Sequence, residues 1–387
     1  MNRRIFLLSA GALALSQTAA GCRPANQPTL KVRLLKNSVP AQVVGAFENA
    51  TAPRPNLDFV PADQLTELFT LLQTWQQPQT ETQPARELLR WPGFKTKSGA
   101  VADLVTLGDY WLAAAIQQHL IQPISFDQQA GWQQLPPRWQ ALVRRDRQGK
   151  FDSQGEIWGA PYRWGSTVIA YRQDKFKQLG WTPQDWQDLW RPEIKGHLSL
   201  LDHPREVIGL VLKKSGRSYN TNDLTAVPQL KAELQSLQQQ VKFYSSSTYL
   251  QSLLTGDTWI AMGWSMDVLP VLKKNRQIAA VIPQSGTALS ADLWVRPTTV
   301  KSPTQLAQNW IDFCWQPQIA SQLSLLGQAT SPILLSLPPA QLPKALQANA
   351  LLLPKAEILA KSEFLMPLPE ITANQYYHLW TEIRQSA

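Results

Sequence analysis

Cysteine and histidine are scarce in this sequence, which has 2 cysteines and 4 histidines among 387 residues. Two cysteines cannot form a structural zinc site. The histidines have no partners at the spacings that metal ligation needs; they are His119, His197, His203 and His378. The glycine-rich, lysine-bearing loop that binds phosphate is missing, as is the Gly-x-Gly-x-x-Gly motif of dinucleotide-binding proteins. The sequence therefore predicts a protein without a metal and without a cofactor.

Signatures of catalysis are missing as well. The segment from Gly263 to Asp267 begins like the nucleophile elbow of hydrolases, but it lacks the closing glycine. The adjacent Tyr376 and Tyr377 are interpreted as packing residues of a terminal amphipathic helix. The spacing of the carboxylates does not mark a glycoside hydrolase. We therefore predict a binding protein rather than an enzyme.

Basic residues outnumber acidic ones, with 37 Lys and Arg against 28 Asp and Glu and a formal net charge of +9. A basic surplus can indicate a nucleic-acid partner. Here the basic residues are scattered along the chain, and no nucleic-acid-binding motif accompanies them. The surplus is interpreted as a solvated basic surface near anionic lipid, and nucleic acid is not expected as a partner.

Long apolar runs are missing except near the N-terminus, where residues 5–15 are almost wholly apolar. The run follows Arg3 and Arg4 and is shorter than the ~20 residues that a membrane-spanning helix needs. This order predicts a secretory signal peptide over residues 1–21. The adjacent arginines also fit the twin-arginine export signal of bacteria.

The end of the predicted signal peptide, Ala19-Ala20-Gly21-Cys22, resembles a lipobox, with Ala19 at the position where leucine is usual. We therefore expect lipidation of Cys22 and a short polar tether over residues 22–29. The alternative is ordinary cleavage, which leaves Cys22 as a spectator thiol. These features predict a periplasmic, membrane-anchored bacterial lipoprotein.

The chain beyond about residue 30 is too long for one comfortable core, which predicts two lobes. Strand patterns alternate with helix patterns, as in βαβ units with a largely parallel sheet. The expected strands cover residues 30–35, 57–60, 102–107, 162–171, 197–201, 259–264 and 292–296. The expected helices cover residues 42–49, 63–77, 110–120, 182–190, 204–214, 303–326 and 372–384, with Asp109 as an N-cap and Cys314 as a core thiol. In such α/β sheets, ligands bind beyond the carboxyl ends of the strands.

Several stretches of the sequence resemble one known family. They are Asp103–Val105, Tyr110, Leu120–Ile124, Pro161–Ile169, Trp186–Gly196 and Leu201–Val207. The most specific is the pattern Trp-x-Asp-Leu-Trp-x-Pro-x-x-Lys-Gly, which begins at Trp186. In these stretches the chain is similar to the spermidine/putrescine-binding periplasmic protein family.

The resemblance implies an α/β fold of the type II periplasmic-binding-protein class, with two lobes hinged by crossing strands. Lobe 1 would comprise residues 30–162 and 292–332, and lobe 2 residues 163–291 and 333–387. The lobes would close on a small-molecule ligand and deliver it to the permease of an ABC importer.

The resemblance also implies a ligand site formed by Tyr110, His203, Glu206, Trp264 and Asp292. Carboxylates accept charge-assisted hydrogen bonds from ammonium groups, and aromatic faces attract cations. This set implies a polyamine such as spermidine or putrescine as the ligand.

Other positions of the family pattern differ in this sequence. His203 stands in place of a second acid, Ser290 in place of a tryptophan and Gln328 in place of a tyrosine, and Leu35, Lys36 and Ser38 replace an aromatic and polar trio. Lys36 and His203 favour a ligand with some negative charge, either anionic or zwitterionic, and the abundant tryptophan suits a sugar. An exported protein without a transport role is a further alternative.

Each candidate site residue also has a structural alternative. In these alternatives, Glu206 would pair with a basic neighbour on its own helix and Asp292 would buttress the hinge. Trp264 would belong to the core, Tyr110 would pack at a helix start, and His203 would be a core or capping residue.

Overall fold

The structure is a computed structural model that describes residues 27–77, 100–126, 129–301 and 304–385. The predicted signal peptide, Cys22 and most of the predicted tether lie outside the described residues. Within these ranges, no helix is both long enough and apolar enough to cross a membrane.

Strands and helices alternate along most of the described chain. The strands are β1 (Thr29–Leu35), β2 (Asn56–Ala62), β3 (Leu104–Gly108), β4 (Ile121–Gln122), β5 (Arg144–Arg145), β6 (Glu156–Ile157), β7 (Ala160–Arg172), β8 (Leu198–Leu200), β9 (Val241–Tyr244), β10 (Ile260–Trp264), β11 (Ile278–Val281), β12 (Ala288–Pro297) and β13 (Glu363–Phe364). The helices are α1 (Ala41–Ala50), α2 (Leu65–Gln76), α3 (Leu112–Gln117), α4 (Ala130–Gln134), α5 (Pro137–Val143), α6 (Gln173–Leu179), α7 (Pro204–Lys214), α8 (Leu230–Gln238), α9 (Tyr249–Thr255), α10 (Ser265–Lys274), α11 (Gln305–Trp315), α12 (Pro317–Gly327), α13 (Lys344–Gln347), α14 (Ala356–Lys361) and α15 (Glu370–Gln385). Short 3₁₀ helices cover Asp109–Trp111, Trp186–Trp190, Pro192–Ile194, Pro332–Ser336 and Pro339–Gln341.

One large sheet runs through the described residues in the order β2-β1-β3-β12-β7-β10-β8-β9. β1 pairs in parallel with β2 and β3, and β8 pairs in parallel with β9 and β10. Between these two parallel groups lie β12 and β7, which are antiparallel to each other and to their outer neighbours. The prediction of an α/β fold whose two parts are joined by crossing strands is confirmed.

β7 joins the two parallel groups because it changes its partner along its length. Pro161–Ser166 pair with β12, whereas Thr167–Tyr171 pair with β10. All residues of this strand except Tyr171 are buried, as its nearly continuous apolar sequence predicts for a central strand. The residue bounds given above for the two lobes stay a prediction.

Three local expectations were wrong. The segment predicted as one helix over residues 303–326 is two helices, because Pro317 lacks a backbone N–H and suits a first helical turn. Residues 182–190 form only the short 3₁₀ helix named above. Asp109 does not cap a helix: its carboxylate accepts a hydrogen bond from the backbone N–H of Ala291 at 2.9 Å.

Aromatic packing fixes the first half of β7 against β12 and α11. Tyr162 stacks on Trp294 with ring centroids 4.2 Å apart, and Trp294 meets Trp310 edge-on at 6.0 Å. Such pairs contribute ~0.5–1.5 kcal/mol each beyond the area they bury. Cys314 on α11 lies in this core, as expected, and burial raises the pKa of its thiol. The first half of β7 is therefore packed closely against β12 and α11.

Candidate ligand-binding site

The fold brings four of the five candidate residues to the carboxyl ends of parallel strands. Glu206 lies in the first turn of α7, just beyond β8, and Trp264 is the last residue of the neighbouring β10. Tyr110 follows the carboxyl end of β3, and its ring meets that of His203, the residue before α7, at 5.7 Å. This is the position that the sheet topology predicts for a ligand site.

Glu206 carries a buried carboxylate that has no ion pair among the described residues. Its side chain accepts hydrogen bonds from Thr167 Oγ1, 2.9 Å from each oxygen, and from Trp264 Nε1 at 3.2 Å. Burial raises the pKa of Glu206 to about 7, although these donors and Arg205 oppose the rise. The guanidinium of Arg205 is engaged elsewhere and donates to the backbone oxygen of Met366. The alternative of an ion pair between Glu206 and its own helix is therefore not observed, and the carboxylate lacks a cation.

A second carboxylate, that of Asp267 in the first turn of α10, is linked to Glu206 through neutral groups. The Tyr249 hydroxyl donates to Asp267 Oδ2 at 3.0 Å and accepts from the backbone N–H of Trp264 at 3.2 Å. The Asp267 side chain keeps contact with solvent, yet the surrounding protein raises its pKa, while Tyr249 and Arg163 oppose the rise. Asp267 is therefore an exposed carboxylate that is joined to the neighbourhood of Glu206 through Tyr249. We call Glu206, Asp267, Trp264 and Tyr249 the acidic cluster.

Asp292 is paired with a cation from its own chain. Arg163 stands directly opposite on β7 and donates from Nε to Oδ2 of Asp292 at 2.6 Å. The two side chains are only 6% and 2% exposed. Burial alone lowers the pKa of Arg163, but Asp292 and Tyr162 more than compensate, so that the pKa lies above its ordinary value. This geometry supports the alternative in which Asp292 buttresses the hinge, and we call Arg163 and Asp292 the hinge pair.

The hinge pair and the acidic cluster lie along one face of β7. Because side chains alternate along a strand, Arg163, Gly165 and Thr167 share a face, and the outer two are separated by ~13 Å of backbone. A Cβ at Gly165 would lie 2.8 Å from Ser265 Oγ, so glycine allows α10 to approach the strand closely. This approach brings Asp267 into the field of Arg163.

A third carboxylate, that of Asp109, lies beside the hinge pair. Burial raises its pKa to about 7, and Asp292 adds to the rise, while the backbone N–H of Ala291 and the charge of Arg145 oppose it. Arg145 itself is 2% exposed. The hinge end of the site therefore contains two carboxylates and two guanidinium groups, of which Asp292 and Arg163 form an ion pair.

The residues that favoured a negatively charged ligand do not bring free positive charge. Lys36 forms an exposed ion pair with Asp63 at 2.8 Å. Burial and the charge of Arg205 lower the pKa of His203 to about 4, so its ring is neutral near pH 7. Its buried Nδ1 has no hydrogen-bond partner within the described part of the chain. Tyr110, which packs against it, remains 53% exposed.

A sequence model of the bacterial extracellular solute-binding proteins matches residues 100–362 of this chain. The chain belongs to this family. It is 26% identical over 263 residues to spermidine/putrescine-binding periplasmic protein 1 of Haemophilus influenzae, covering 68% of this chain and 69% of that protein. It is 29% identical over 245 residues to the putrescine/cadaverine-binding protein of Pseudomonas aeruginosa, covering 60% and 67%.

A solved structure shows that this solute-binding protein has the fold that the sequence predicted. The spermidine/putrescine ABC transporter substrate-binding protein of Streptococcus pneumoniae superposes with a TM-score of 0.76 at 19% identity, covering 93% of this chain and 99% of that one. At this identity the likeness shows the fold alone. The two-lobed, type II periplasmic-binding-protein class is therefore confirmed.

Sequence reasoning missed four residues of this site: Arg163, Thr167 and Tyr249 bond directly to candidate residues, and Asp267 bonds to Tyr249. A signal was available for Arg163, because a full charge inside an apolar strand needs a partner. Asp267 lies in the segment from Gly263 to Asp267, whose sequence pattern indicates only an incomplete nucleophile elbow. The remaining two carry no sequence signal, since they are ordinary residues of a strand and a helix.

Proposed function

We propose that this solute-binding protein is the ligand-binding subunit of an ABC importer for amines of the polyamine type. The observation that carries the proposal is Glu206, a buried carboxylate whose partners are a hydroxyl and an indole N–H. An ammonium group supplies the missing positive charge through charge-assisted hydrogen bonds of ~1.5–3 kcal/mol. Trp264 and Tyr110 offer aromatic faces that add ~0.5–2 kcal/mol of cation–π attraction.

The names of the relatives support the same ligand class. The Haemophilus influenzae protein is named for spermidine and putrescine, and the Pseudomonas aeruginosa protein for putrescine and cadaverine. In this proposal the protein binds its ligand in the periplasm and passes it to a permease, without acting as an enzyme.

Calorimetric titration with amines that carry one, two or three ammonium groups tests the proposal. The wild-type protein should bind at least one of them, and Glu206→Gln should weaken that binding at least about tenfold, the worth of one charge-assisted hydrogen bond. Glu357→Gln, which changes an exposed glutamate of α14, is the matched control and should leave the affinity unchanged. Absence of binding by every amine at millimolar concentration would refute the proposal.

We further propose that Cys22 carries a lipid anchor, on the strength of its lipobox resemblance. Cys22→Ser should release the protein from washed membranes, because an acyl chain contributes ~0.8 kcal/mol per buried methylene. Cys314→Ala removes the buried thiol and should leave membrane association unchanged. If the Cys22 variant stays with the membrane as firmly as the wild type, the anchor lies elsewhere.

A further inference from the structure

The carboxylates of the site differ in the kind of group that neutralises them. At the hinge end, Asp292 has the guanidinium of Arg163 at 2.6 Å. In the acidic cluster, the hydrogen bonds to Glu206 and Asp267 come from hydroxyl and indole groups, which are neutral. A ligand that brings positive charge therefore finds the buried carboxylate of Glu206 without an ion pair, whereas that of Asp292 is already paired.

A second ammonium group would have to compete with Arg163 for Asp292. The arginine is fixed to the neighbouring strand, directly opposite the aspartate, so its effective concentration there is high. Both side chains are almost completely buried, and separating them would leave a buried guanidinium without its counter-charge. Asp109, the other carboxylate at this end, accepts a hydrogen bond from the backbone N–H of Ala291 at 2.9 Å and lies in the field of Arg145, and burial still raises its pKa to about 7. The carboxylate of Asp292 therefore does not accept a further cation.

We propose that Arg163 is a built-in cation that occupies the place of a second ligand ammonium, so that the ligand carries a single ammonium group at the acidic cluster and a hydrogen-bond acceptor at its other end. This inference rests on the proposed function, since it specifies which amines the same site takes. A guanidinium has five N–H donors, and the bond to Asp292 uses the one on Nε. The acceptor at the far end of the ligand is an uncharged amide, as in an N-acylated diamine, or a carboxylate, as in an ω-amino acid.

Titration of the wild-type protein with putrescine, N-acetylputrescine and 4-aminobutyrate tests the inference without any substitution. The three probes have short chains of similar length and carry an ammonium, an amide or a carboxylate at the second end. At least one single-ammonium probe should bind at least about tenfold more tightly than putrescine. The better of the two identifies the acceptor.

The outcomes of this titration separate the inference from the proposed function. If putrescine binds as tightly as both other probes, or more tightly, the inference is overturned and the proposed function still stands. Absence of binding by all three probes and by longer polyamines overturns both.

Substitution of the hinge pair gives an independent measurement. Arg163→Leu frees the carboxylate of Asp292 and should raise the affinity for putrescine about tenfold or more. The double variant Arg163→Leu/Asp292→Asn lacks the freed carboxylate and should show no such gain. Equal gains in both variants, or a gain in neither, contradict the role of Arg163.

The single leucine variant leaves a buried charge unpaired, which is strongly destabilising. If it does not fold, Arg163→Lys provides the measurement, because lysine keeps the positive charge opposite Asp292. That variant should keep the wild-type order of the three probes. A lysine variant that prefers putrescine contradicts the inference.

Discussion

Replacement of Glu206 by glutamine should make the ligand-free protein more stable near pH 8, even though it should weaken ligand binding. The residue is 5% exposed, and burial raises the pKa of its carboxyl to about 7 from an ordinary value of 4.5. The folded protein therefore binds this proton more tightly than the unfolded chain does. The free energy of unfolding falls as the pH rises from about 4.5 to about 7, and the full cost of the buried charge is present above that range.

The size of the effect follows from the two pKa values. A difference between about 7 and 4.5 corresponds to about 3 kcal/mol of unfolding free energy. Glutamine keeps an acceptor for Thr167 and Trp264, but its amide N–H₂ group then faces donors, which costs ~1 kcal/mol. We expect Glu206→Gln to raise the free energy of unfolding by about 2 kcal/mol at pH 8 and to lower it slightly or leave it unchanged at pH 4.

Urea unfolding of wild type and variant in the same series of buffers measures this difference. Other groups with raised pKa values, such as Asp109, titrate in both proteins and cancel when the two curves are subtracted. Glu357→Gln on the surface of α14 is the control and should show no pH-dependent gain. A Glu206 variant that is no more stable than the wild type at pH 8, or whose gain is the same at every pH, would refute the reasoning.

Three further predictions address the same region. Affinity for an ammonium ligand should fall about tenfold between pH 8 and pH 6, because the ligand binds the ionised form of Glu206, whose pKa is about 7. Calorimetry at several pH values measures this change, and a constant affinity would contradict the role of Glu206. Thr167→Val removes the hydroxyl that lies within hydrogen-bonding distance of both carboxylate oxygens of Glu206, and it should weaken amine binding about fivefold. An unchanged affinity would contradict this prediction. Gly263→Ala would place a Cβ 2.1 Å from Cε2 of Tyr249 and should lower the unfolding free energy by ~1–3 kcal/mol in urea titrations. The control is Gly45→Ala in α1, where the added Cβ would meet no neighbouring side chain within 4 Å and should raise the unfolding free energy by ~0.5–1 kcal/mol. Similar losses of unfolding free energy in both variants would count against a steric cause.

Local pattern was sufficient to predict much of the fold. The apolar run after Pro161 predicted a buried strand, and that segment is the crossing strand β7. The helix predicted over residues 204–214 is α7, which places Glu206 in its first turn. The tryptophan-rich motif at Trp186 indicated the family, and through it the two-lobed class. These predictions succeed because the period of apolar residues and the position of proline act within a few residues of the chain.

Tertiary structure alone decided which charges of the candidate site are free. Arg163 and Asp292 are 129 positions apart in the sequence, and Trp264 lies 58 positions from Glu206. Strand alternation tells which face a side chain takes, but strand order and register determine which residue stands opposite it. The same pairing sets the burial that raises the pKa of Glu206 and the ion pair that occupies Asp292. Two carboxylates that are equivalent in the sequence differ in the structure, because only one of them was folded against a guanidinium.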